Sequence, residues 1–374
     1  MCLTYHSDDS SYKIVGRGPI KCTVVLGAVG TFCYVSRVNT TATTPIRARI
    51  AAVGAYVPPR RMTNVDLSRI VDTSDEWISS HTGIRNRHIA EDDQAASDLA
   101  LPASRQALER AGLNPEDIDL ILVATSTPDY PGLPSTASVL QHKLEVPAAG
   151  AMDVVAACSG FIYALETART YVVAGAARHV LVAGTEVYSR IVDWTDRSSC
   201  VLFGDGAGAV IVSASDNPDD PGEILPAILG SRGAGAEALY RSHGGTRNPY
   251  VPGQTRESDL KLKMDGRKVY NFAVAIVGQV ISELLDRQGL RFQMLDWVVP
   301  HQANIRIIEA VAKRNGWDVE RFYRNISEYA NTSAASIPIA LNEMVEKEIL
   351  KRGMRILTVG FGAGLSWGGH LISW

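Results

Sequence analysis

The sequence predicts an α/β fold built from two similar halves, and three observations carry that expectation. Apolar runs rich in β-branched residues alternate with amphipathic stretches. A strand, a small-residue turn and an apolar helix recur in the second part of the chain in the order they have in the first. A break rich in Asp and Pro near residue 220 separates the two. Strands alternating with helices lead to a mostly parallel sheet with helices on its faces.

In chain order, residues 1–46 read differently from the rest, being rich in Ser and Thr with Asp8 and Asp9 the only acids. The apolar patch from Thr23 to Val35 is broken by Gly27 and Gly30 and sits late for a signal peptide. Three accounts of this extension stand: an over-long start assignment, a transit peptide, or a native addition. From Ile50 the α/β pattern sets in. Ile118 to Thr125 and His179 to Gly184 are expected strands, and Ala96 to Ala111 an amphipathic helix.

The repeat matches Ile118-Asp119-Leu120-Ile121-Leu122-Val123 with Leu295-Asp296-Trp297-Val298-Val299. Beyond each, a small-residue turn opens an apolar helix: Ala156-Ala157-Cys158-Ser159-Gly160 in one case, Ala330-Asn331-Thr332-Ser333-Ala334-Ala335-Ser336 in the other. Strands ending in Gly184 and Gly360 follow. The halves are expected to span 47–220 and 221–374, joined where Asp216-Asn217-Pro218-Asp219-Asp220-Pro221-Gly222 interrupts the pattern. The stretch from Gly233 to Thr255 is the longest expected loop.

Composition narrows the function classes. A chain of 374 residues with 46% hydrophobic content can bury a large core. A net charge of −3, without a basic run, argues against nucleic acid as a partner. Five cysteines with no CxxC pair argue against a disulfide framework or structural zinc, so no metal is expected and a reducing, cytoplasmic setting fits. No run reaches the roughly 18 apolar residues of a membrane helix, so no membrane partner is expected.

Cys158 sits where the run Met152-Asp153-Val154-Val155 passes through small residues into the helical pattern Phe161-Ile162-Tyr163-Ala164-Leu165. At a helix N-terminus the free N–H groups and the dipole favour a thiolate, which a nucleophilic cysteine needs. A small buried cysteine is the commoner occupant of such a place. His301 follows a strand in Val299-Pro300-His301-Gln302-Ala303-Asn304, and Asn331 occupies the turn that matches Cys158 in the repeat. Taken singly, the first fits a structural histidine and the second a helix cap. Phe203-Gly204-Asp205-Gly206-Ala207-Gly208 is read as close backbone packing, not a nucleotide loop. Phe361-Gly362-Ala363-Gly364 is either a tight turn or a source of oxyanion-binding N–H groups.

Together these segments, with Asp72-Thr73-Ser74-Asp75-Glu76-Trp77-Ile78, resemble the initiating β-ketoacyl-acyl-carrier-protein synthases (synthase III) of the thiolase-like superfamily, from about residue 47 onward. The resemblance implies two thiolase-like halves, each a mixed sheet covered by helices and layered αβαβα. It implies a Cys158, His301, Asn331 triad, with the backbone N–H groups of Cys158 and Ala363 as an oxyanion hole. The reaction implied is decarboxylative condensation of an acyl-CoA primer, acetyl or short and branched, with malonyl-acyl-carrier protein through an acyl-Cys158 intermediate. Neither the second cysteine of thiolases nor the second histidine of elongating synthases is present.

The same resemblance assigns Trp77 and Arg197 to the adenine of coenzyme A, with His81 standing where relatives carry arginine near the phosphates. Arg306, Lys313 and Arg314 would dock the acidic carrier protein, the first and second lying on one helix face. Leu133 would shape a neighbouring subunit's acyl pocket in a homodimer. No cofactor is expected, the coenzyme A thioester being a substrate, and the setting becomes a plastid stroma if residues 1–46 are a transit peptide. Two rival readings are a secondary-metabolism synthase that uses another acyl-CoA and a cysteine thioesterase.

Overall fold

β-Branched side chains pack well on both faces of a covered sheet, and the apolar runs of this chain become strands accordingly. The computed structural model describes residues 23–27, 30–34, 46–146 and 148–374. The chain divides into two units, Met1–Pro45 and Ile46–Trp374. In the first, Thr23–Gly27 pairs antiparallel with Gly30–Tyr34. The rest of the expectation for residues 1–46 lies outside the described residues.

Within Ile46–Trp374 the main strands are β1 (Arg47–Tyr56), β2 (Leu120–Ala124), β3 (Gly150–Val154), β4 (His179–Glu186), β5 (Gly206–Ser215), β6 (Glu223–Ile224), β7 (Ile228–Ser231), β8 (Trp297–Pro300), β9 (Arg355–Gly362) and β10 (Ser366–Ser373). Their order is β8-β9-β10-β6-β1-β5-β4-β2-β3, with β7 added on β10. β2 runs parallel to β4, and β4 antiparallel to β5. β8 likewise runs parallel to β9, and β9 antiparallel to β10. The sheet is therefore mixed, where strand-helix alternation alone predicts mostly parallel pairing. Parallel neighbours require a crossover, whereas β9 turns directly into β10 through three residues.

The helices are α1 (Asp75–Thr82), α2 (Ala96–Ala111), α3 (Thr136–Lys143), α4 (Gly160–Val173), α5 (Gly266–Arg287), α6 (Ile305–Asn315) and α7 (Ser336–Glu346). α2 has the span expected of it. Asp98 accepts the N–H of Ala95 at its start, and Gly112 ends it with φ 65°. The period of two along β2 divides its side chains between layers. Leu120, Leu122 and Ala124 face a central layer of α4 and α7, with Phe161, Leu165, Ile337 and Leu341. Ile121 and Val123 face α2 and α3, with Leu99 and Leu140. On the far side, Ile276 and Val280 of α5 and Ile307 and Val311 of α6 cover Val298, Leu357 and Leu371. This is an αβαβα arrangement whose central layer carries the turns that open α4 and α7.

That layer packs backbone against backbone. A Cβ on Gly208 would lie 2.7 Å from the Ile339 nitrogen, which accounts for the glycine-rich run leading into the start of β5 as a packing device. The stretch expected as a loop from Gly233 holds a short strand, Leu239–Arg241, paired with Leu262–Met264. α5 is long and apolar enough to cross a membrane by length and composition. One of its faces is buried in the outer layer.

Candidate active site

Three chain turns meet in the cavity that holds Cys158. Following β3, residues Ala157–Ser159 form a 3-10 turn ahead of α4. Ala157 there adopts φ 47°, a conformation costly for a residue with a Cβ and held by its surroundings. His301 follows β8 and donates its backbone N–H to Val359 at 2.8 Å, continuing the ladder with β9. Asn331 precedes α7, and its backbone pairs with Leu202 and Gly204. Cys158, His301 and Asn331 are all buried and line one cavity of about 360 Å³ together with Trp77, His81 and Arg306.

The hydrogen bonds orient the two polar partners. Ser333 donates its N–H to Asn331 Oδ1 at 2.8 Å, which leaves the Asn331 amide N–H groups as the free donors. His301 Nδ1 lies 2.7 Å from Ser336 Oγ, and Ser336 Oγ donates to the Ser333 carbonyl at 2.8 Å. That carbonyl already accepts the Ser336 N–H. Ser336 Oγ has a single proton for the Ser333 carbonyl and Nδ1; turned to Nδ1, the more basic acceptor, it leaves the ring N–H on Nε2. The Phe361 ring meets the imidazole edge to face, with centroids 5.3 Å apart.

Burial dominates the electrostatics. It pushes the Cys158 thiol up to about 12, with Ser333 pulling the other way. Burial thus opposes the thiolate that the helix N-terminus favours. Burial also holds His301 down at about 3, so the imidazole is neutral across the physiological range. Cys200 is buried and its thiol is likewise raised, to about 11.

The remaining sequence candidates are placed as follows. The Arg197 guanidinium lies over Trp77, 4.8 Å from the ring centroid, and donates to the Asp72 carbonyl at 3.1 Å. His81 stacks on Trp77 with centroids 4.6 Å apart and bonds the Trp77 carbonyl through Nδ1 at 2.8 Å. An adenine between Trp77 and Arg197 needs two stacking distances, roughly 7 Å, so the pair must part to admit one. Ala363 adjoins the cavity-lining Gly362 but is not itself a wall residue. Lys313 and Arg314 are exposed on the last turn of α6, away from the cavity, while exposed Arg306 on its first turn lines it. Leu133 is 88% exposed and outside the cavity of its own chain. Among the described residues no cluster of His, Cys, Asp and Glu could hold a metal.

Several site residues escaped the sequence reading. Glu186, at the end of β4, is fully buried, and burial raises its carboxyl to about 7. It accepts from Ser333 Oγ at 2.9 Å. Ser366 Oγ bonds Ser159 Oγ at 2.7 Å and donates to the Ala363 carbonyl at 2.7 Å, tying the Cys158 turn to the glycine loop. The one available signal was an acid ending an apolar strand at its carboxyl end, where ligands gather in α/β sheets.

Gly362 packs against the Cys158 turn. A Cβ there would stand 2.8 Å from the Cys158 nitrogen and 2.9 Å from its Cβ. Gly362→Ala is therefore expected to displace the turn and reduce acylation by about 10²-fold, the loss typical of one oxyanion donor, while leaving a folded protein. Acyl-enzyme formation by mass, with circular dichroism as the fold control, checks this.

Comparison with known proteins agrees with the geometry. Residues 285–374 match the model of the 3-oxoacyl-[acyl-carrier-protein] synthase III C-terminal family, and residues 152–233 that of 3-oxoacyl-[acyl-carrier-protein] synthase III. The chain is 47% identical over 330 residues to a β-ketoacyl-[acyl-carrier-protein] synthase III of Caldanaerobacter subterraneus, covering 88% of this chain and 98% of the relative. It is 46% identical over 325 residues to the enzyme of that description from Clostridium acetobutylicum, covering 87% and 98%. The crystal structure of 3-oxoacyl-[acyl-carrier-protein] synthase III from Aquifex aeolicus superposes with a TM-score of 0.80 at 42% identity, covering 87% of this chain and all of that one.

Proposed function

Because the chain belongs to the 3-oxoacyl-[acyl-carrier-protein] synthase III family, we propose that Cys158 carries the acyl group while His301 and Asn331 drive decarboxylation of the malonyl partner. The enzyme is an acyltransferase that initiates fatty-acid synthesis by a decarboxylative Claisen condensation. Its substrates are an acyl-CoA and malonyl-acyl-carrier protein, and it uses no cofactor.

The sulfur of Cys158 attacks the acyl-CoA thioester, coenzyme A departs, and an acyl-Cys158 remains. Loss of CO2 from the malonyl group then places negative charge on its thioester oxygen. The His301 Nε2–H and an Asn331 amide N–H are the donors for that charge, and both are neutral before and after the step. The resulting carbanion attacks the acyl-Cys158 carbonyl, whose oxyanion is held by the N–H groups of Cys158 and Ala363. The Ser159–Ser366 pair supports this last assignment by fixing the distance between the two segments. Residues 47–220 supply the nucleophile and residues 221–374 the two donors.

The observation that carries this reading is the convergence of Cys158, His301 and Asn331 on one cavity. Incubation with acetyl-CoA and malonyl-acyl-carrier protein should give β-ketoacyl-acyl-carrier protein and one CO2 per product. Free fatty acid with no carbon–carbon bond would contradict it, and preference for malonyl-CoA over the carrier-bound form would point to a secondary-metabolism synthase.

Trp77, Arg197 and His81 form the surface for the coenzyme A nucleotide, with Trp77 and Arg197 separating to take the adenine. Arg306, Lys313 and Arg314 are exposed and without ion-pair partners among the described residues, which suits docking of an acidic carrier. Reversing Lys313 and Arg314 to Glu should raise KM for malonyl-acyl-carrier protein roughly tenfold, with much less effect on acylation by acyl-CoA. Steady-state kinetics with each substrate varied in turn reads this split. A homodimer fits the open edge at β3, since an unpaired edge strand is a template for a second copy, and exposed Tyr130, Leu133 and Val155 lie near it in sequence. Leu133 would then pack against the acyl pocket of the second copy. The reaction belongs in the cytoplasm, or in a plastid stroma if residues 1–46 are a transit peptide.

A further inference from the structure

Among the described residues Glu186 has no Lys, Arg or His hydrogen-bond partner, a costly arrangement for a buried carboxylate that serves packing alone. Its two oxygens face different parts of the chain. Oε2 accepts from the Ser126 N–H at 3.0 Å and the Thr127 hydroxyl at 2.7 Å, both just after β2. Oε1 accepts from the Ser333 hydroxyl at 2.9 Å, in the turn before α7. The carboxyl therefore ties the ends of β2 and β4 to the turn that carries Asn331. Ser333 itself adopts φ 49°, in the left-handed region where a residue with a Cβ stays only if its surroundings hold it. In that conformation its N–H bonds Asn331 Oδ1 at 2.8 Å and leaves the Asn331 amide N–H groups free. Its carbonyl meets the Ser336 hydroxyl at 2.8 Å, and the same hydroxyl meets His301 Nδ1 at 2.7 Å. One residue thus touches the supports of both donors, and Glu186 holds its side chain.

We infer that Glu186 is a positioning residue for decarboxylation: its hold on the Ser333 hydroxyl fixes the turn that aims Asn331 and His301, a role that rests on the donor assignment proposed above. The carboxyl touches no substrate and moves no proton in this role. It acts on where the two donors stand when charge develops on the malonyl thioester oxygen. A donor misplaced by about 1 Å typically costs about 10²-fold in rate. Donors that matter only as that charge develops affect kcat and leave KM nearly unchanged.

Glu186→Leu removes the link to Ser333, and Glu186→Gln keeps one. In the latter the side-chain oxygen stays with the Ser126 N–H, a fixed donor, so the amide faces Ser333 Oγ and donates to it. CO2 release from malonyl-acyl-carrier protein by Glu186→Leu should fall about 10²-fold in kcat, with KM within a few-fold of wild type. Acyl-enzyme formation from acetyl-CoA, followed by intact mass, should stay within a few-fold, since that step uses neither donor. Glu186→Gln should restore CO2 release to within a few-fold of wild type. Ser333→Ala should match Glu186→Leu, and the double variant should lose no more than either single one, as two residues acting through one link require. Undiminished CO2 release by Glu186→Leu, equal losses of acylation and CO2 release in it, or a Glu186→Gln as impaired as Glu186→Leu would each overturn the inference. If Glu186→Leu does not fold, Ser333→Ala decides, because wild-type CO2 release in it is equally contrary. Asn331→Ala, measured alongside, separates the two claims. Undiminished CO2 release by that variant sinks the donor assignment, whereas its loss beside a fully active Glu186→Leu sinks only the role of Glu186.

Discussion

Cys158→Ala is expected to abolish acyl-enzyme formation and to lower condensation by more than about 10⁴-fold, while CO2 release from malonyl-acyl-carrier protein persists. Among the described residues the cavity holds no second cysteine, Cys200 being buried outside it. Decarboxylation, by contrast, needs donors to the thioester oxygen and makes no bond to sulfur. Truncating Cys158 should leave His301 and Asn331 in place, because their orientation comes from Ser333 and Ser336. Labelled CO2 release alongside intact mass reads both halves of the expectation.

His301→Ala should show the opposite pattern. Acyl-Cys158 still forms from acyl-CoA, and CO2 release falls by about 10²- to 10³-fold, the loss typical of one oxyanion donor in a dry site. The pH dependence carries a second check. The conjugate acid of His301 is depressed, so the neutral ring persists as pH falls until it approaches about 3. Wild-type decarboxylation should therefore show no limb from His301 between about pH 5 and 8, where an ordinary histidine would titrate. If His301→Ala instead abolished acylation and spared CO2 release, the histidine would be the base for the thiol, and the role given to it would fall.

What could be read from the sequence was local. The helix Ala96–Ala111 carries its own period and its own stop at Gly112, and the turn before α4 announces itself by a change from apolar to small residues. The pairing of Cys158 with His301 and Asn331 came from the order of motifs, because residues more than a hundred positions apart give no periodic signal of their meeting. Glu186 shows the limit. Its hydrogen bond comes from Ser333, 147 positions away, and its burial from the tertiary packing, and neither is encoded near it. The thiolate expectation meets a related limit. A helix N-terminus is visible in sequence, but the burial that opposes it depends on how β9 and α7 close over the turn. Arg197 lies 4.8 Å over the Trp77 ring, a contact the sequence does not reveal, so a nucleotide surface there must open.

The central claim is that one cysteine holds the acyl group between two half-reactions. Incubating the protein with acetyl-CoA in the absence of malonyl-acyl-carrier protein, then mapping the modified peptide by mass, tests it directly. One acetyl group per chain is expected, on the peptide containing Cys158 and discharged when malonyl-acyl-carrier protein is added. An acetyl group on Cys200, or none on any cysteine while condensation proceeds, would contradict the account.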